Sequence, residues 1–358
     1  MRVAASEPGA SKLVYVPGIQ ISFVRLFFSA ALLAGIAAAQ APHIGVLDFY
    51  GVRKVPETRI RKALGVGEGD FLPPSKGDTE DALDQVPGVL DSHLEAVCCD
   101  DGKMILYVGI EEKGSPHFEL HDPPDRDLNL PEDVTSTYRR FMDAFESSVR
   151  RGDTAEDLTH GHSLMADPRA RALQEQFVPL AKDHLKELRD VLRYSSDEDQ
   201  RAVAAYVIGY APDKASIVDN LQYALQDSDA GVRGNATRGM IALAVLAKLD
   251  PHAGIKIQPT WFIEMLNSLS WADRNNALKA LQILTDDHDP AALEQLRDRA
   301  LPALVEMAQW KTLSHALPAF ILLGRVAGLS EDQTQAAWTR GDRPSVIAAA
   351  MGKKKSSK

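Results

Sequence analysis

The sequence predicts a mainly α protein: an α-solenoid of paired helices, preceded by a small α+β domain with the order β-α-α-β-β. Three observations predict it. Apolar residues make up 45% of the chain but aromatic residues only 6%, a balance that favours packed helices over a β-sandwich. A short motif, R-x-x-A, returns at intervals near 40 residues, the period of stacked helical hairpins. Between residues 44 and 112 the pattern changes to β-rich runs broken by two short helical stretches. The 358 residues are too many for one small core and suggest two domains.

The N-terminus carries an address. From Leu26 to Ala39 the chain reads LFFSAALLAGIAAA, an apolar run preceded by Arg25 and ending in small residues, as in a secretory signal. Ala37 and Ala39 form an A-x-A site. Cleavage after Ala39 leaves Gln40 first, whereas cleavage after Ala41 would leave Pro42, which the peptidase handles poorly. The run is shorter than the roughly 20 apolar residues that span a bilayer. Residues 1–39 are therefore expected to be a removed signal peptide, giving a periplasmic or secreted protein with no stable membrane span; an uncleaved anchor is the alternative. No cysteine follows the run, which argues against a lipid anchor. The long segment before Arg25 points to a later start, with Val24 as an alternative start codon.

The small domain, residues 44–112, reads element by element. Ile44 to Tyr50 (IGVLDFY) is β-rich and stops at Gly51. Pro56 sits where a first helical turn tolerates it, ahead of Ile60, Ala63 and Leu64 on one face. Asp78 or Thr79 is expected to cap a second helix, with Ala82, Leu83 and Val86 as its apolar side and Pro87-Gly88 as its end. Leu90–Asp100 and Lys103–Glu111 are strand-like around Asp101-Gly102, which supplies the positive backbone angles of a two-residue turn. Cys98 and Cys99 are neighbours, which a strand points to opposite faces and which bridge each other only in a strained ring. One buried thiol and one exposed thiol are expected, with a redox or intermolecular role as the alternative.

This order, with FYGVRKVPETRIRKALGVGEGD, then LDQVPGV and a last strand closing on Glu111-Glu112, resembles the POTRA domain of envelope transport and outer-membrane assembly proteins. The resemblance covers about 70 residues and implies a binding mode: partner chains dock against an exposed sheet edge. The chain departs from that family in holding one such unit with no β-barrel of alternating strands after it. A small α+β cap without an edge partner is the alternative.

Residues 113–132 form a link rich in Pro and Asp, extended because Pro123, Pro124 and Pro131 are excluded from helix interiors. Residues 133–340 have helical periodicity. DEDQRAVAAYVIGY, DSDAGVRGNATRGMIAL and SWADRNNALKALQIL place the repeated motif at Arg201/Ala204, Arg233/Ala236 and Arg274/Ala277, with a degenerate fourth copy at Leu313/Ala316; the spacings are 32, 41 and 39. A partner helix precedes each copy, at 172–193, 216–226, 259–269 and 292–309. The recurring alanines let helices approach closely, while Val207, Ile241, Leu281 and Leu322 fill the layers between hairpins. No single hairpin buries both its faces, so several must stack. Ser195-x-x-Glu198 and Ser330-x-x-Gln333 match the capping box, and Asp229 and Ser270 precede second helices.

Over residues 170–325 these copies resemble HEAT repeats. The resemblance implies a ladder of Asp and Arg between neighbouring hairpins, matched here by Asp197/Arg201 and Asp229/Arg233. The third copy keeps Arg274 but has Ser270 in place of the aspartate, and the fourth lacks the arginine, so the last hairpin is expected to act as a cap. It also implies a curved surface lined by the second helices. Arg238, Asn275 and Lys279 are the candidate partner-binding residues on it.

Charge and motifs narrow the function. The formal charge is −10, and Lys353, Lys354, Lys355 and Lys358 lie in the final six residues, so the body carries about −14. Nucleic acid is a poor partner for such a surface. Residues 341–358 read as a disordered basic tail. Some HEAT-type proteins carry metal-dependent hydroxylase chemistry on His-Glu pairs, but none of the ten histidines here precedes a glutamate. His160, His162 and Asp157 are metal-ligand types at short spacing and carry the alternative reading, a metal-dependent enzyme. Asp286-Asp287-His288-Asp289 lacks the spacing of a calcium loop. Trp261, Trp271, Trp310 and Trp338 are expected in the inter-helix core. There is no nucleophile elbow, P-loop or dinucleotide fingerprint. The expected function is an exported scaffold that binds a protein partner, with no cofactor, metal or catalytic residues; an envelope assembly chaperone is a further alternative.

Overall fold

The computed structural model describes residues 42–100 and 102–352. The signal-peptide reading of residues 1–39 and the lysines from Lys353 onward lie outside them. The protein is mainly helical, with fourteen α-helices and one three-stranded sheet among the described residues. Its contacts fall into two compact units. One holds residues 124–224 and 238–256; the other holds the described residues up to Pro123, residues 225–237 and those from Ile257 on.

The second unit begins with β1 (Ile44–Tyr50), α1 (Glu57–Leu64), α2 (Lys76–Asp84), β2 (Val89–Asp100) and β3 (Lys103–Glu112), the β-α-α-β-β order read from the sequence. Across the sheet the order is β1-β3-β2, with β1 parallel and β2 antiparallel to β3. α1 ends at Gly65, whose φ of 70° is the left-handed cap that glycine adopts without penalty. α2 starts earlier than expected: Ser75, not Asp78 or Thr79, is the cap, its Oγ accepting from the Asp78 N–H at 3.2 Å. Ile60, Leu64 and Leu83 of these helices pack on Ile44, Leu47, Leu94 and Val108 of the sheet, each such side chain contributing about 1.5–3 kcal/mol on full burial. Glu112 ties the chain after β1 to the end of β3 by accepting from the N–H groups of Arg53, Lys54 and Val55. Burial pushes its carboxyl up, but these donors overcome that and hold it below the usual range.

The first unit holds α3 (Glu132–Arg150), the two-residue strands β4 (Glu156–Asp157) and β5 (Leu164–Met165), α4 (Pro168–Asp183), α5 (Leu185–Tyr194), α6 (Glu198–Ile208) and α7 (Val218–Ala224). The partner helix expected over 172–193 is two helices that meet at His184, whose Nε2 lies 3.1 Å from Asp133 Oδ2 at the start of α3. α6 is capped by Asp197, which accepts from the Gln200 N–H, and not by the expected Ser195. Ser195 instead donates to Leu128 O at 2.6 Å, and Arg126 N–H donates to Tyr194 O, so the proline-rich link is extended and pinned down. Phe141, Phe177, Tyr138 and Tyr206 form an aromatic core. A satisfied polar string runs through it, from Met165 N–H to Gln174 to Tyr206 and on through Tyr210 to Ser163 O.

α8 (Ala230–Leu249) contributes to both units. α9 (Thr260–Met265), α10 (Trp271–Leu284), α11 (Pro290–Ala308), α12 (Leu313–Ala327), α13 (Glu331–Thr339) and α14 (Arg343–Gly352) complete the second. Asp229, Ser270 and Asp289 cap α8, α10 and α11, and Ser330 with Gln333 makes a full capping box on α13. α14 corrects the expectation of a disordered tail from residue 341. Val346 and Ala350 are buried, and Arg343 donates to Ala308 O and Trp310 O at 3.0 Å each. The motif alanines 204, 236, 277 and 316 are all fully buried. Trp271 and Trp310 are buried as expected, whereas Trp261 and Trp338 remain half-buried.

The face of the sheet away from α1 and α2 is covered as well. Tyr107, fully buried in β3, stacks on Trp271 at 5.1 Å, lies 4.9 Å from Trp310, and meets His315 Nδ1 through its hydroxyl at 2.7 Å. The Tyr50 hydroxyl donates to Leu269 O at 2.7 Å. Gly109 allows this approach, because a Cβ there would stand 2.6 Å from Leu269 O and 2.6 Å from the Tyr50 ring. β3 is therefore buried on both sides, and the small α+β part is continuous with helices α9 to α12 in one compact unit.

Candidate functional site

The repeated arginines share one local geometry. Arg201 reaches back to Ser195 O at 2.9 Å, Arg233 to Asp227 O at 2.8 Å and Arg274 to Ser268 O at 2.6 Å, in each case six residues upstream. The guanidinium fills a carbonyl of the turn before its own helix, work that Lys, with its single point charge, does less well. Arg233 also makes a two-pronged ion pair with Asp273, 40 residues on, with both side chains almost fully buried. Arg274 lies 3.7 Å from Glu306. Asp197 and Asp229 are helix caps, so the acid that meets Arg233 is the one just before the next arginine and not the one expected four residues upstream.

The three residues expected on a partner-facing surface lie elsewhere. Arg238 is held by Glu156 and by Ser163 Oγ at 3.3 Å inside the first unit. Burial lowers its pKa to about 10. Asn275 and Lys279 are 5% and 8% exposed. They are interior residues and offer no open surface to a large partner.

His160, His162 and Asp157 do come together in the turn between β4 and β5. His160 Nδ1 is 3.5 Å from Asp157 Oδ2, and the two imidazole centroids are 6.0 Å apart. Lys214 Nζ, however, sits 3.0 Å from His162 Nδ1 and donates to Gly209 O at 2.7 Å. An ammonium there competes for the lone pair a metal would need. Burial lowers His162 to a pKa of about 3 and Lys214 to about 8. Among the described residues no group of three or more His, Cys, Asp or Glu side chains is arranged to hold a metal.

The sheet edges differ from each other. The outer side of β1 is closed at Ile44 and Leu47: Leu47 N–H donates to Glu68 Oε1 at 3.2 Å, Lys311 Nζ donates to Leu47 O at 3.0 Å, and Ile44 exchanges backbone bonds with Asp70 and Gly69. The outer side of β2 is closed only in its first half. Asp91 Oδ1 accepts from Ser92 N–H at 2.8 Å, and Glu80 Oε1 accepts from Leu94 N–H at 2.6 Å. The strand's two-residue repeat puts the Ala96 N–H on that same outer side. There Ala96, Cys98 and Cys99 are exposed, and Leu90 is 55% exposed. The register with β3 shifts between Val97 and Asp100. Cys98 and Cys99 are joined in a disulfide, in place of the expected buried and exposed pair of thiols.

The sequence raised the expectation of an edge-strand module but carried no sign of which half of which strand has its outer side unclosed. Glu80 carries that information, and it reads as an ordinary solvent-facing residue of a short helix. No helix among the described residues is long and apolar enough to cross a membrane. No protein-family model matches the chain, and no curated protein matches it closely enough to indicate a family.

Proposed function

We propose that the protein is an exported envelope scaffold that holds a protein partner, and that an extended segment of the partner adds to the outer edge of β2 from Ala96 onward. The observation that carries this reading is the outer side of β2, which side chains close only as far as Leu94, whereas β1 has the outer backbone groups of Ile44 and Leu47 taken by Glu68, Lys311 and the 69–70 turn. An edge with outward donors and acceptors is a template for another chain. The β-α-α-β-β order supports kinship with POTRA domains, and the recurring arginine geometry supports reading the helices as HEAT-like hairpins. The Leu26–Ala39 run supports export, with Gln40 as the expected first residue when protein recovered from the envelope is sequenced.

Proline at Ala96 tests the edge directly. It removes an N–H that faces away from β3, a position where an edge strand tolerates proline, so the fold should persist. Affinity purification from cells, with co-purifying proteins identified by mass spectrometry, should recover a partner with the unaltered protein and with Ala96→Thr, and lose it with Ala96→Pro. Undiminished recovery with Ala96→Pro would refute the edge mode.

A further inference from the structure

The open half of β2 carries reactive chemistry as well as backbone groups. Cys98 and Cys99 are joined to each other there, and both are exposed. Val97 pairs with Ile105 and Asp100 with Lys103, so two residues of β2 stand where β3 supplies Met104 alone. That is the count of a β-bulge, whose extra residue drops out of the ladder. A chain laid against Ala96 therefore reaches the first of the two cysteines within two residues, about 7 Å along a strand.

The pair is poorly placed to act as a structural crosslink. A disulfide stabilises by closing a loop of the unfolded chain, and more so for longer loops. Neighbours in sequence close no such loop, and neither residue is packed in a core.

We infer that Cys98–Cys99 is a thiol-exchange site, which captures a cysteine carried by the strand that adds to β2. The inference rests on the edge reading above and gives the partner a chemical class: an extended segment with a free thiol. The partner's thiol loses its proton to solvent, and the thiolate attacks one of the two exposed sulfurs. The bond between Cys98 and Cys99 breaks as the bond to the partner forms, and the other cysteine leaves as a thiolate that takes a proton from solvent. The partner's sulfur is oxidised and the released cysteine reduced, so electrons balance within the step. Side chains directly opposite each other on neighbouring strands stand about 4.5–5.5 Å apart, Cβ to Cβ. A disulfide needs about 3.5–4.5 Å, which a small adjustment supplies. The released thiol stays next to the mixed disulfide and expels an incoming thiol that nothing else holds. A partner paired along the backbone stays attached.

Two thiols of similar acidity test this. One is a capped peptide of alternating threonine and valine with a central cysteine, which forms a strand; the other is N-acetylcysteine amide, which is too short to do so. The mature chain is mixed with each at the same concentration and quenched with acid at intervals. The mixed disulfide at Cys98 or Cys99 is then measured by mass spectrometry of proteolytic fragments. The peptide should accumulate it at least about tenfold faster, because docking raises the local thiol concentration toward the millimolar range. Ala96→Pro should bring the peptide down to the level of the small thiol. Equal accumulation on the unaltered chain overturns the inference, as does the absence of a mixed disulfide with either thiol. In both cases the edge reading is judged separately, by whether Ala96→Pro still loses the partner in the affinity purification. A peptide advantage that survives Ala96→Pro overturns the inference together with the edge reading.

Discussion

Replacing Arg233 with alanine should be among the most damaging single changes in the second unit. Its guanidinium meets Asp273 through Nε and Nη2 at 2.9 Å each and fills the carbonyls of Asp227 and Ser228 through Nη1. The ion pair is nearly dry, with side-chain exposures of 6% and 4%. Removing one member strands the other, and an uncompensated buried charge costs about 3–5 kcal/mol. Asp273 retains only the Ser268 hydroxyl, at 2.7 Å, of the polar contacts described. For a protein of this size the loss corresponds to a fall in Tm of about 4–7 °C. Urea titration followed by far-UV circular dichroism measures it. The double variant Arg233→Met with Asp273→Leu should recover most of the loss, because it removes both charges and keeps apolar volume. A cost for Arg233→Ala below about 1 kcal/mol, the range of solvent-exposed pairs, would refute the reasoning, as would a double variant no better than the single.

Two further outcomes are open to simple measurement. Gly109→Ala drives a methyl group into Leu269 O and the Tyr50 ring, and should cost about 1–3 kcal/mol in the same urea titration; a neutral result would mean that the sheet and the 267–270 turn are not pressed together. Burial, aided by Lys214 and His160, holds His162 at about pH 3 against its ordinary 6.5, so the unfolded chain takes up a proton that the folded chain refuses. The stability this group contributes is complete above about pH 6.5 and is lost as pH falls from there toward about 3, with a slope of up to about 1.4 kcal/mol per pH unit. His162→Gln should flatten stability between about pH 7 and about pH 5, by about 1–2 kcal/mol relative to the parent; identical slopes in the two proteins would contradict it.

Much of the fold was legible in the sequence. Ile44–Tyr50 is the observed first strand, and the hairpin around Gly102 and the helix starts at Asp229, Ser270 and Ser330 rest on local signals whose chemistry acts over three or four residues. Other boundaries were hidden by equally local causes. Ser75 precedes Lys-Gly, so the cap of α2 looked like loop, and the Asp342-Arg343-Pro344 start of α14 was absorbed into a tail dominated by lysines. The largest omission was non-local. MILYVGI in β3 shows no alternation, which is the mark of a strand covered on both faces, yet nothing in those seven residues says what covers the second face. The low exposure of the candidate partner-binding residues was hidden for a related reason. Arg238, Asn275 and Lys279 are polar by type, and their burial depends on Glu156 and on packed helices far away in sequence.

The double coverage of β3 also bears on modularity. Excising residues 42–115 would lay bare Tyr50 and Tyr107 and strand the hydroxyls that Leu269 and His315 now satisfy. A graft, deletion or truncation made at the proline-rich stretch would thus cut through a core. The smallest transplantable piece must carry the hairpins from Thr260 to Ala327 along with the sheet, and changes on either side of that seam are expected to be mutually constrained during evolution.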